Sequence, residues 1–155
     1  MGQVLRQRLR QARFESPVQE AFFNVLVASG HLRERVDRVL ARHRLTSSQF
    51  NVLRILRGAH PSGLPRCEIA PRMLERAPDV TRIVDRLERA SLVERGRSEA
   101  DGRLSVARIT RKGQALLERI DPELTETFRD LAGRLTEREA ETLSALCEKF
   151  YQQDV

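Results

Sequence analysis

Residues 79–113 read DVTRIVDRLERASLVERGRSEADGRLSVARITRKG, and their order decides the fold. Val80, Ile83, Val84 and Leu87 recur at helical spacing and share one face of a helix of about four turns, while Arg82, Asp85, Arg86 and Arg89 fall on the other. One face is core and the other is charged, which by itself fits an ordinary solvated surface as well as a binding surface. Two β-compatible runs follow, Leu92–Arg95 and Leu104–Ile109, joined by the arginine-bearing segment 96–103. Thr110 then stands where a side-chain oxygen can cap a helix that begins Arg111-Lys112-Gly113. A helix, a hairpin wing and a capped helix therefore follow one another without a gap.

This segment resembles the core signature of the multiple-antibiotic-resistance regulator (MarR) family of winged helix-turn-helix repressors. The shared elements are T-R-x-V-D-R-L-E at 81–88, L-V-E-R at 92–95, D-x-R at 101–103, and a strand ending I-T-R-K-G at 109–113. From about Val18 to Phe150 the likeness extends through the order of helices rather than through residue identities, and the first fifteen residues lie beyond it. Two positions depart from the family pattern. Ser91 occupies the helix exit where glycine is usual, which implies strain or a different exit angle. The wing tip reads Asp101-Gly102-Arg103 in place of D-R-R, which implies one positive charge fewer and a looser tip.

The chain has 155 residues, enough for one domain with helical extensions. Aromatics are only 5% and charged residues 32%, with apolar positions at helical spacing nearly throughout, so the expected fold class is mainly α with a small β-hairpin wing. The formal charge of +6 favours an anionic partner. Nearly all of that positive charge is arginine, whose planar fork suits phosphate oxygens or a guanine edge, although codon bias in a G+C-rich genome would give the same composition. Cys67 and Cys147 form no C-x-x-C pair, and a disulfide framework is not expected. No apolar run approaches the roughly 18 residues that a bilayer span requires, and no membrane association is expected. The start MGQVLRQRLRQARF lacks an apolar signal core, so the expected compartment is cytoplasmic. Its four arginines and absence of acids fit either a short basic helix or a disordered arm.

Phe22, Val25, Ser29, Leu32, Val36 and Val39 give the seam of a long helix from Pro17 to Arg42. Thr46 and Gln49 form a capping box that opens a helix over Ser47 to Arg57. After the break at His60-Pro61-Ser62-Gly63, Pro65 suits the first position of a short helix, within which Pro71 should cause shortening or distortion. That helix and the one after the turn 75–78 make the helix-turn-helix. Beyond the wing, the apolar spacing predicts a helix from Arg111 to Ala132 with Pro122 as a bend, then a last helix opened by the Thr136/Glu139 capping box. Neither terminal helix has enough nearby chain to cover both of its apolar edges. The expected organisation is thus a basic extension (1–16), a helical dimerisation region (17–43 and 111–155) carrying Phe22, Val25, Leu143, Cys147 and Phe150 at a homodimer contact, and a winged helix-turn-helix lobe (45–110).

The resemblance implies a regulator that binds a pseudo-palindromic operator in double-stranded DNA as a homodimer. It also implies a small aromatic or phenolic anionic effector that weakens binding. By the same pattern the DNA-contacting residues are Pro78, Asp79, Thr81, Arg82 and Arg86 around the recognition helix, and Arg95, Arg97, Asp101 and Arg103 in the wing. Asp79 is equally explained as an N-cap, and the resemblance gives Asp101 the task of holding a wing-base arginine. Phosphate-cradle, nucleophile-elbow and zincin motifs have no match, so neither catalysis nor a cofactor is expected. His31, His43 and His60 stand in three different settings, and no metal site is expected. Two alternatives remain open from sequence: a protein-interaction module on the same scaffold, and a thiol switch at Cys67 near a helix start.

Overall fold

In the computed structural model, which describes residues 2–75, 79–98 and 102–152 (backbone only at 132), the apolar repeat from Pro17 is one continuous helix. The elements in chain order are α1 (Gln3–Leu9), α2 (Pro17–Arg42), α3 (Ser47–Gly58), α4 (Arg66–Ile69) with a 3₁₀ turn (Ala70–Arg72), α5 (Val80–Arg89), β1 (Val93–Arg97), β2 (Ser105–Ile109), α6 (Arg111–Ala132) and α7 (Glu137–Glu148). The turn assigned to 75–78 falls outside the described residues except for Glu75, as do the site residues Pro78 and Asp101.

The chain divides into two compact units, residues 1–38 and 39–155. In the first, the basic start forms the short helix α1 rather than an arm. Leu5 is buried, Arg6 lies 3.8 Å from the Glu20 carboxylate, and the rings of Phe14 and Phe23 meet at 5.9 Å between centroids. Arg8, Arg10 and Arg13 are exposed, and along α2 so are Val18, Phe22, Leu26 and Leu32.

The core of the second unit is built on α3. Its start is fixed by the capping box: the Gln49 N–H donates to Thr46 Oγ1 at 3.2 Å, and the Thr46 N–H donates to Gln49 Oε1 at 2.9 Å. With that register set, Phe50, Val52, Leu53 and Leu56 turn inward, joined by Leu40, Ile69, Val84, Leu87, Leu117 and Ile120 from the helices around them. Each fully buried aliphatic side chain contributes about 1.5–3 kcal/mol, whereas an exposed ion pair contributes up to about 1 kcal/mol, so this apolar set holds the fold. Ion pairs fix its geometry. Arg57 reaches Asp121 at 2.5 Å, and Glu123 on α6 takes Arg42 at 2.6 Å and His43 Nε2 at 2.8 Å. The hydrogen bond from His43, followed by the charge of Arg42, holds the Glu123 carboxyl below the usual carboxylate range.

β1 and β2 pair antiparallel with Val93 opposite Ile109, Arg95 opposite Ala107 and Arg97 opposite Ser105. Leu64 adds a single bridge on the outer side of β2, exchanging bonds of 3.0 and 2.8 Å with Ala107. Gly63 makes that approach possible. Its φ is +75°, and a Cβ there would lie 2.5 Å from the Ala107 carbonyl oxygen.

Pro71 acts on α4 as its chemistry demands: the α-helix ends after four residues and a 3₁₀ turn replaces the next. Pro65 is the N-cap, with extended ψ of 150°, so the helix starts one residue later than its sequence suggests. α6 runs from Arg111 to Ala132 with Pro122 inside it. α7 opens on the Thr136/Glu139 box, whose Thr136 N–H lowers the Glu139 carboxyl below its ordinary range. No residue of α7 is buried, and Leu143, Leu146, Phe150 and Tyr151 at or beyond it are all about half exposed. Among the described residues no helix is long and apolar enough to cross a membrane.

Candidate nucleic-acid interface

α5 presents two unlike faces because its register is fixed at both ends. At its start the Arg82 N–H donates to Asp79 Oδ1 at 3.0 Å, so Asp79 is the N-cap. Asp79 Oδ2 also holds Arg82 Nε at 3.0 Å, which lays the Arg82 side chain back over the helix entrance while leaving it 79% exposed. Val80, Val84 and Leu87 are buried. Thr81, Arg82, Arg86 and Arg89 face solvent, and Arg86 pairs with no carboxylate among the described residues.

The helix has ten residues, just under three turns, and is shorter than its apolar spacing suggests. What ends it is a Schellman turn: the Ser91 N–H donates to Glu88 O at 2.8 Å and the Leu92 N–H to Leu87 O at 2.9 Å. Ser91 occupies the left-handed position with φ of 60°, so the strain expected where the family carries glycine is present. Ser91→Gly is therefore expected to stabilise the protein by about 0.5–1 kcal/mol, read as a rise in melting temperature of a few degrees. No rise would mean that the serine hydroxyl repays the strain.

The first helix of the motif is tied to the second through Arg66, whose Nη1 donates to Thr81 Oγ1 at 3.3 Å. The wing is tied to α5 through Arg95, which pairs with Asp85 and reaches Glu88 at 3.2 Å. Arg95, named from sequence with the DNA-contacting set, is thus turned onto the recognition helix and is only 38% exposed. Arg97 folds across the wing, its Nη1 donating to Gly102 O at 2.9 Å, and Arg103 is exposed. Arg108 reaches along the hairpin, donating to Arg97 O at 2.8 Å and to Pro61 O at 3.2 Å.

The structure thus gathers Asp79, Thr81, Arg82 and Arg86 on one helix and sets Arg95, Arg97 and Arg103 on the adjoining wing. Arg66, Arg108 and Lys112 were not singled out from sequence. For Arg108 a signal existed, a lone arginine among the apolar residues of β2. Of the residues assigned to a dimer contact, Phe22, Leu143 and Phe150 are exposed, and Val25 and Cys147 half-buried. Cys67 is exposed on α4, and among the described residues no three metal-binding side chains gather.

Comparison with known proteins places this geometry. A family model described as the MarR family matches residues 45–105. The chain is 31% identical over 112 residues to the homoprotocatechuate degradative operon repressor of Escherichia coli, covering 72% of this chain and 74% of that one. A crystal structure of a MarR transcription factor from Planctomyces limnophilus superposes with a TM-score of 0.66 at 31% identity, over 88% of this chain and 98% of that one. The S. aureus MepR–DNA complex shares the fold with a TM-score of 0.74 at 24% identity, over 84% and 96% of the two chains.

Proposed function

The chain belongs to the MarR family, and on that premise we propose that it is a cytoplasmic, non-catalytic transcriptional repressor that binds a pseudo-palindromic operator as a homodimer. The observation that carries this reading is the exposed polar face of α5, where Thr81, Arg82 and Arg86 stand clear of a buried apolar face. Such a face presents arginine forks to base edges in the major groove, while Arg97 and Arg103 of the wing approach phosphate or the minor groove. Asp79 lies at the helix entrance; the family pattern adds Pro78 as a contact and gives Asp101 the task of holding a wing-base arginine. Arg95 acts by joining wing to helix as well as by its charge.

A relative that represses a degradative operon and a neighbour solved on DNA support the same assignment. The exposed apolar residues of α2 and α7 support dimerisation through residues 17–43 and 111–155, with 45–110 as the reading lobe. A small aromatic or phenolic anion, bound more tightly by the DNA-free state than by the bound one, would release the operator.

The test begins with selection of bound duplexes from a random pool by the full chain. An inverted repeat with half-sites about one turn apart is expected, bound by a particle of twice 17.8 kDa. A screen of aromatic carboxylates and phenols should then find a compound that lowers affinity. A monomer, or a pool without enrichment, overturns the proposal.

A further inference from the structure

Three consecutive backbone carbonyls at the exit of α5 are all taken by the start of α6. Lys112 Nζ donates to Ala90 O at 2.8 Å, Thr110 Oγ1 to Ser91 O at 2.8 Å, and the Thr110 N–H to Leu92 O at 3.1 Å. The Thr110 hydroxyl does this while accepting the Gly113 N–H at 3.1 Å, so one group caps α6 and grips α5. Gly113 lets the two segments meet, for a Cβ there would stand 2.4 Å from Leu92 O.

The placement of Lys112 is informative. It lies in the first turn of α6, which has no acidic residue, and a cation there opposes the positive end of that helix's own dipole. Ala90 is the C-cap of α5, where a cation is favoured and where the last carbonyls lack partners within the helix. The lysine therefore serves the neighbouring helix and not its own.

We infer that Thr110, Lys112 and Gly113 form a latch that fixes the angle of the recognition helix against α6, with Lys112 a positioning residue acting through the Ala90 carbonyl. The inference rests on the DNA-binding reading above. It gives the end of α5 a rigid link to a 22-residue helix, so a displacement of α6 is carried to the side chains of α5.

The competing role for a lysine beside a recognition helix is direct contact with phosphate, and salt dependence separates the two. The full chain and its Lys112→Met variant are compared on the duplex that the wild type selects and on a scrambled duplex of equal length, across a range of salt. Positioning predicts about a tenfold loss on the selected duplex, with affinity for the scrambled one and the slope of log K against log salt unchanged. Lys112→Arg should restore most of the loss. Phosphate contact predicts equal losses on both duplexes and a slope smaller by about 0.9 per protomer, which would overturn the inference. Unchanged affinity on both duplexes would overturn it too. Lys112→Gln carries the same comparison should methionine impair folding. A wild-type chain that selects no duplex would instead remove the DNA-binding reading itself.

Discussion

Replacing Arg86 with alanine is expected to weaken binding to the selected operator about 10–100-fold, the range set by loss of one bidentate contact to a base edge. Arg86 is the clearest case because it stands exposed on α5 without a carboxylate partner among the described residues. Arg82→Ala should also weaken binding, with a different signature. Its guanidinium neutralises Asp79 at 3.0 Å, so alanine there removes a contact and also leaves a bare carboxylate at the helix entrance facing phosphate. The salt slope should therefore fall more for Arg82→Ala than for Arg86→Ala, while scattering shows the dimer intact for both. Anisotropy titrations at two or three salt concentrations decide the matter. Affinity within twofold of wild type for both variants would remove α5 as the recognition helix.

A large loss of stability is also expected at Gly113. In an open helical site, exchange of glycine for alanine stabilises by up to about 1 kcal/mol. At Gly113 the added carbon would stand 2.4 Å from the Leu92 carbonyl oxygen and 2.7 Å from Ile109 Cγ1. The first obstacle is backbone and cannot rotate away. Steric cost decides the sign, and Gly113→Ala is expected to destabilise by about 1–3 kcal/mol, read as a lower urea midpoint. A midpoint at or above that of the wild type would show that the Leu92 segment and α6 separate without cost, and would undercut the latch as well.

Much of this architecture is legible in the sequence because its signals are local. The Thr46/Gln49 and Thr136/Glu139 boxes announce their helices within four residues, Thr110 does the same for α6, and Pro71 announces the shortening of α4. The left-handed position of Ser91 is legible through the resemblance instead, because the family carries glycine at that helix exit. What escapes sequence is long-range pairing of charged side chains. Strand alternation puts Arg95 on a face of β1 but cannot say that Asp85 and Glu88 lie opposite. Lys112 reads as one more cation in a basic chain until α5 and α6 are placed together. His43 and Glu123, eighty positions apart, carry no mark of their contact. The start of the chain, by contrast, reads equally as a helix or an arm, because burial of Leu5 is a tertiary fact.

The bond from Arg97 to the Gly102 carbonyl bears on how binding is timed. A side chain already bonded to its own wing exchanges one acceptor for another when it meets DNA. What it gains is nearly cancelled by the acceptor it gives up, so on the proposed reading the wing adds little to the lifetime of the complex. Its charge is nonetheless held aloft at the edge of the molecule before any partner arrives. The wing then works during approach, speeding encounter at low ionic strength, while α5 governs departure.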